Sequence, residues 1–328
     1  MRYWTQLATE QFAPSELVPQ ARAAERASFD ALNVSDHFQP WWEPGHAGHA
    51  WTILGAIGQA TERIPIGTGV TAPVYRHNPA TVAQFAATLE ELFPGRAFLG
   101  IGSGESLNES PCGMDWPDVG EQVERMEEAL EIIDRLLDGE RIDHEGRFYR
   151  TKRAYLHTRG QRRPPIYISA FGPRAAGVAG RFGDGLWTLA DPESAPELIE
   201  AYTAACEEAG REPGEIVLQT GFSWAEDDDE ALEGARVWKA TMPEEFFTDD
   251  WHDPKAMQEH AESQHSDDEF LEQYIVGADP EAHAERIREI EKLGATVVCL
   301  QNASGAAPVK ALEVYGERVL PALRGVRA

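Results

Sequence analysis

Eight short apolar runs, spaced along the chain and separated by amphipathic stretches, constrain this fold more than any other feature. They lie at residues 3–7, 31–34, 64–68, 97–101, 166–169, 185–188, 216–222 and 295–300. Each is too short for a buried helix and rich in the branched and aromatic residues that suit a pleated surface. Between them run helical patterns such as residues 15–26, with alanine-rich faces set against charges. Regular alternation of strand and helix demands a parallel sheet, and eight repeats close into a (β/α)8 barrel of the TIM type. An open doubly wound sheet is the competing architecture.

The alternation breaks in three places, read as insertions in one barrel domain spanning 1–328. Residues 105–125 carry Pro111, Gly113, Pro117 and Gly120, which predicts a long loop before a helix at 123–137. Residues 140–165 show Arg141-Ile142-Asp143 and Phe148-Tyr149-Arg150, the alternation of a β-ribbon, and end in Pro164-Pro165. Residues 243–277 form the third break. Insertions of this length in a compact enzyme serve as lids or binding walls, although the acidic middle at 244–253 also reads as disorder.

The chain has 56 acidic and 29 basic residues, a formal charge of −27. That excess opposes nucleic acid and anionic membrane surfaces as partners, because both are polyanions. Only Lys152, Lys239, Lys255, Lys292 and Lys310 are lysines. A carboxylate-rich, lysine-poor surface suits a halophilic protein, since concentrated salt screens the self-repulsion. Arginine-favouring codon usage in an ordinary cytosol is the alternative. No apolar run approaches the roughly 18 residues of a membrane span, and residues 1–6 lack the apolar region of a signal peptide, so a cytoplasmic enzyme is expected. Cys112, Cys206 and Cys299 show no CxxC pairing and read as isolated thiols, with Cys299 in the core.

Chemistry concentrates where strands are expected to end. Asp36-His37 follows the second run and is flanked by Phe38, Trp41 and Trp42, flat apolar surface for a ring-shaped cofactor. The pair reads either as a dyad in which Asp36 orients His37 or as a helix cap beside a satisfied histidine. His46 and His49 lie nearby in a loop broken by glycine and proline, without helical ligand spacing, so no metal is expected. Gly67-Thr68-Gly69-Val70-Thr71 closes the third run, and Gly100 to Glu105 closes the fourth; glycines there permit a turn or a close approach of backbone to ligand. The second segment is not a dinucleotide fingerprint, since the third glycine and an immediate helix are missing. Glu105 sits among glycines as a carboxyl whose pKa an enclosed site can raise. After the fifth run, Ala170-Phe171-Gly172-Pro173-Arg174 opens a helix expected at 175–181, whose free N–H groups, with Arg174 and Arg181, offer an anion seat or a plain cap. The acidic cluster at 225–230 reads as the start of a helix.

On these residues the chain resembles the luciferase-like flavin and deazaflavin oxidoreductases, in the branch of the deazaflavin-dependent glucose-6-phosphate dehydrogenases. The resemblance runs nearly end to end. Its most specific pieces are Glu10 to Pro14, Ser35 to Trp41, Phe98 to Glu109 and Asp279-Pro280. It implies a (β/α)8 barrel with insertions, a homodimer, and coenzyme F-420 bound at the C-terminal ends of the strands. It implies that Asp36, Gly69, Val70, Thr71, Gly104, Asn108, Ala170, Phe171, Gly172 and Pro173 lie along the cofactor, with a non-proline cis peptide at Gly69-Val70. His37, Trp41 and Glu105 would face the reacting carbon, and Glu10 and Trp41 would line the substrate pocket.

Two departures from the family pattern bear on the substrate. Members commonly read Gly-Gly-Pro where this chain has Phe171-Gly172-Pro173. Sugar-phosphate members also place two lysines and an arginine on the later strands and lid, where this chain reads Trp187 to Asp191, Met257 to His260 and Glu272 to Tyr274, with no cation among them. The expected enzyme is therefore an F-420-dependent dehydrogenase that moves a hydride between the carbinol carbon of an alcohol or unphosphorylated sugar and C5 of the deazaflavin. His37 is assigned to the hydroxyl proton and Glu105 to the ring edge, roles that can be exchanged. The alternatives are a glucose-6-phosphate dehydrogenase, a reduced-FMN monooxygenase on the same barrel, and a cofactor-binding protein without turnover.

Overall fold

The computed structural model describes residues 1–325. Eight parallel strands form a closed ring: Arg2–Leu7, Ala31–Val34, Ile66–Thr68, Ala97–Ile101, Ile166–Ser169, Gly185–Leu189, Glu215–Trp224 and Val297–Asn302. Each pairs with the next, and the eighth returns to the first. All eight expected runs are barrel strands, with ends shifted by a few residues. Their continuous apolar character follows from burial on both sides, against helices outside and against one another within.

Inside the ring, Trp4, Phe98, Tyr167 and Trp187 interlock with Val217, Val297 and Cys299. The Trp4 ring lies 5.0 Å from Phe98 and 5.0 Å from Tyr167, edge-on to the latter. The barrel is therefore a filled column, and its open end carries the loops. Cys299 is fully buried, as expected.

The insertions carry more structure than the sequence suggested. Residues 106–112 form two helical turns, Ser106–Glu109 and Ser110–Cys112, and the following helix runs Val119–Leu137. It starts earlier than position 123 because the Asp118 carboxylate accepts the Glu121 N–H at 2.9 Å. Ile142–Glu145 and Arg150–Ala154 form the expected antiparallel ribbon. The third insertion folds into the helices Glu245–Thr248, Pro254–Gln264 and Asp267–Gln273. Its acidic middle is ordered, because Phe246 is fully buried against Trp251 and His260. A short strand not anticipated, Ile275–Gly277, then pairs with the end of the seventh barrel strand. The acidic cluster does start a helix: Asp227 caps Asp228–Ala235 through the Glu230 N–H. Among the described residues, no helix is long and apolar enough to cross a membrane.

Candidate active site

Strand register assembles the site. Leu7 pairs with Val34, Val34 with Thr68, and Ile101 with Ile168, so several strands finish at one level. The residues after those ends converge on the barrel mouth: Glu10, Ser35 to His37, Gly69 to Thr71, Gly102 to Glu105 and Ala170 to Pro173. Two ionisable clusters with different characters sit there side by side.

The first surrounds Asp36, whose side chain has no exposed surface. Its carboxylate accepts Thr71 Oγ1–H at 2.7 Å and Arg76 Nη1–H at 3.1 Å, and pairs with His77 Nε2 at 3.2 Å. Arg76 also donates to the Asp36 carbonyl at 2.7 Å, and its backbone N–H donates to Glu109 Oε2 at 2.7 Å. Burial pushes the Asp36 pKa up, but His77, Arg76 and Thr71 outweigh burial and hold it well below the usual carboxylate range. Glu109 moves the other way: burial raises it, and Arg76 offsets only part of that. The reading of Asp36-His37 as a dyad is corrected here, because the Asp36 carboxylate is engaged by Arg76, His77 and Thr71.

The second cluster centres on His37. Its Nε2 lies 3.4 Å from Glu10 Oε1 and 3.5 Å from Glu105 Oε2, while Nδ1 lies 3.3 Å from the Gln39 carbonyl. Asn108 Nδ2 lies 3.5 Å from the same Nδ1, so either tautomer of the ring finds a partner there, while Nε2 faces the two carboxylates. Glu10 is buried and its other oxygen accepts Ser35 Oγ–H at 2.6 Å. Asn108 Nδ2 donates to Glu105 Oε2 at 3.0 Å, and Asn108 Oδ1 accepts the Phe38 N–H at 2.8 Å, tying the loops after the second and fourth strands together. Burial pushes the Glu105 pKa up, Glu10 adds to the rise, and His37 opposes it. Trp41 is buried with its ring 5.5 Å from that of His37.

Around this cluster the backbone is laid open. The Gly69-Val70 peptide is cis, and the Gly69 carbonyl accepts Gln6 Nε2–H from inside the barrel at 2.9 Å. A Cβ on Gly69 would come within 2.2 Å of Asn33 Oδ1, so only glycine fits there. Gly104 sits at φ +91°, a conformation that side chains oppose, while a Cβ on Gly172 would meet nothing within 4 Å. Among the described residues, the N–H groups of Ser103, Gly104, Glu105, Phe171 and Gly172 find no acceptor in the protein. Open backbone with free donors, beside half-exposed Val70 and exposed Phe171, fits a flat ring carrying a polar edge and an anionic tail. Gly172 is the N-cap of Pro173–Phe182, a helix that starts at the proline rather than at 175. Arg174 and Arg181 point away from an anion seat and pair with Glu124 and Glu127 on the neighbouring helix.

Sequence reasoning did not place Arg76 or His77 beside Asp36, nor Ser35 beside Glu10. Arg76-His77 lies directly before the Asn78-capped helix Pro79–Leu92, so it follows the third strand, the neighbour of Asp36. Two adjacent basic residues at that position were the available signal. Ser35 was visible beside Asp36 but shows its role only through Glu10.

Known proteins share this barrel and much of this sequence. The profile of the luciferase-like monooxygenase family matches residues 1–297. The F-420-dependent glucose-6-phosphate dehydrogenase of Microbacterium testaceum is 39% identical over 332 residues, covering 99% of this chain and 98% of that protein. The F-420-dependent hydroxymycolic acid dehydrogenase of Mycobacterium tuberculosis is 37% identical over 320 residues, covering 97% and 87%. The structure of an F-420-dependent secondary alcohol dehydrogenase in complex with an F-420–acetone adduct superposes with a TM-score of 0.93 at 31% identity, covering 100% of this chain and 99% of that one. With the same barrel and a family match across nine-tenths of its length, this chain belongs to the luciferase-like family.

Proposed function

We propose that the protein is a coenzyme F-420-dependent dehydrogenase of CH–OH groups, acting on an uncharged alcohol or unphosphorylated sugar. The observation that carries this reading is His37 Nε2, poised 3.4 and 3.5 Å from two carboxylates at the mouth of the barrel. When bound, the deazaflavin supplies a hydride acceptor at C5. Its ring would rest on Gly69 to Thr71 and Gly102 to Gly104, and its tail would meet the free N–H groups of Phe171 and Gly172. In alcohol oxidation the carbinol C–H bond breaks as hydride, the hydroxyl proton passes to His37 Nε2, and the carbonyl forms. Glu10 and Glu105 stabilise the resulting imidazolium. Glu105, whose burial makes it more basic than an ordinary carboxylate, is also placed to exchange a proton at the ring edge.

The charge inventory supports an uncharged substrate. A phosphate dianion in a pocket needs charge-assisted hydrogen bonds, and Arg76, Arg236 and Lys239 are already engaged. Arg76 is held by Asp36 and Glu109. Arg236 and Lys239 both pair with Asp267. Asp191 caps the helix Ala195–Glu208 through Ser194, and Lys255 and Glu259 are exposed on the third insertion. A homodimer belongs to this reading through the family resemblance. The test is fluorescence titration with F-420 and FMN, followed by steady-state comparison of secondary alcohols, glucose and glucose 6-phosphate. F-420 should bind far more tightly than FMN, and the phosphorylated sugar should be the poorest substrate. Tighter FMN binding would replace this reading with a monooxygenase.

A further inference from the structure

The roof of the site is aromatic, and one of its rings comes from the third insertion. Phe247 lies with its ring 5.4 Å from Trp41 and 5.4 Å from Phe171, and Trp41 in turn reaches His37. Trp41 follows the second barrel strand and Phe171 the fifth. The row His37, Trp41, Phe247, Phe171 therefore crosses above the ends of the third and fourth strands, where Gly69 to Thr71 and Gly102 to Glu105 lie. Its neighbour Phe246 is buried inside the insertion against Trp251 and His260, which leaves Phe247 as the ring turned to the mouth.

A separate set of contacts fixes this strap in place. Asp250 Oδ1 accepts Ser110 Oγ–H at 3.1 Å and the Ser106 hydroxyl, and pairs with His252 Nδ1 at 2.9 Å. Gln39 Nε2 donates to the His252 carbonyl at 3.0 Å. The strap is thus tied to the loops after the second and fourth strands, which themselves carry His37 and Glu105. Glu10, His37 and Glu105 thus meet the row of rings at one barrel mouth. A ligand with one polar function and one apolar arm satisfies both. A polyol has no comparable apolar arm to lay along the rings and gains less from burial there.

Building on the dehydrogenase reading, we propose that Phe247 is a specificity-determining residue that selects alcohols bearing an apolar arm on the carbinol carbon over polyols, and that Asp250 is the residue that positions it. The test uses the F-420-loaded protein and a series of 2-alkanones from acetone to 2-octanone, with glucose alongside. Binding is read by quenching of intrinsic tryptophan fluorescence, which needs no turnover. In the native protein the dissociation constant should fall about threefold per added methylene. Phe247→Ala should flatten that to less than about 1.5-fold per methylene, while Phe247→Leu retains the slope. Asp250→Ala should flatten it too, and the double variant should add no further loss, as expected of residues acting through one contact. An unchanged slope in Phe247→Ala, or glucose binding more tightly than 2-octanone, would overturn the proposal. Turnover of the matching secondary alcohols is scored separately. A steep slope without turnover supports the role of Phe247 and sinks the dehydrogenase chemistry instead.

Discussion

The Asp36 cluster and the His37 cluster sit on adjacent residues of one loop, yet they treat charge in opposite ways. Asp36 is sealed and held by Arg76, His77 and Thr71. His37 has two carboxylates near Nε2 at 3.4 and 3.5 Å, beyond good hydrogen-bond length, and no lysine or arginine pairs with either of them among the described residues. A permanent cation such as arginine locks a carboxylate as an anion, whereas a histidine facing carboxylates stays able to change its protonation. The first cluster is a fixed support, and in the proposed function the second is the set of groups that moves a proton. Alternate residues of the chain point to different partners, and so one loop serves both purposes.

Breaking the support should have the largest effect. Asp36→Asn strands Arg76 and His77 in a buried setting, and loss of one partner of such a pair costs about 3–5 kcal/mol, readable in a urea melt. The pH dependence follows from the lowered pKa of Asp36. Its stabilisation is present above the unfolded value of roughly 3.9 and is lost as pH falls through the lower folded value. Acid melts of native protein and variant should therefore converge at low pH. A stable Asp36→Asn would show that the two clusters do not differ in this way.

His37→Ala addresses the other side. Turnover should drop about a hundredfold or more, the size expected of a proton-transfer group, with F-420 affinity within about tenfold and little change in melting. Near-normal turnover would reduce His37 to pocket lining.

Glu105→Gln sharpens the contrast, because its two effects have opposite signs. Turnover should fall about a hundredfold. Stability should rise, since burial and Glu10 lift the folded pKa of Glu105 above the unfolded value of roughly 4.3. The ionised form is the costly one in the fold, so the gain appears as pH rises through the folded value and vanishes below about pH 4. Melting curves at pH 4 and pH 8 check this, and equal shifts at both would refute the assignment of cause.

The smallest effect concerns neither cluster. With a charge of −27, the exposed carboxylates should make the melting temperature climb by several degrees, roughly, between low and molar potassium chloride through screening. The enclosed clusters are shielded from it, so Asp36→Asn should climb in parallel with the native protein. A flat native curve would return the composition to codon usage.

What was legible in the sequence follows physical lines. The barrel strands could be read because burial on both sides demands apolar residues throughout. Ile275–Gly277 escaped because three residues carry no period, and it exists only where Trp224 offers an edge. The segment at 244–253 looked disordered from its charges, yet Phe246 and Trp251 supply enough buried surface to order it. In the site, His37 and Glu105 were visible because each follows a strand or its flanking glycines, whereas Glu10 and Asn108 came only through the family resemblance. The partner of Asp36 was misread, since adjacency in sequence pointed to His37 while the neighbouring third strand delivered Arg76 and His77. Phe247 was hidden by distance, more than 200 residues beyond Trp41 in the chain, with only the row of rings to connect them.

The closure of the ring has a consequence for how the protein comes into being. Thr5 Oγ1 donates to the Leu300 carbonyl, a partner 295 residues away, and the first strand that carries Glu10 toward His37 is held between the second strand and the eighth. During synthesis that side of the first strand stays unpaired until the eighth strand has left the ribosome, so Glu10 is fixed in place only after nearly 300 further residues have been made. Pairing over such a separation is slow, and it exposes an apolar edge for the whole of elongation. A net charge of −27 sets mutual repulsion against the pairing of such edges between chains.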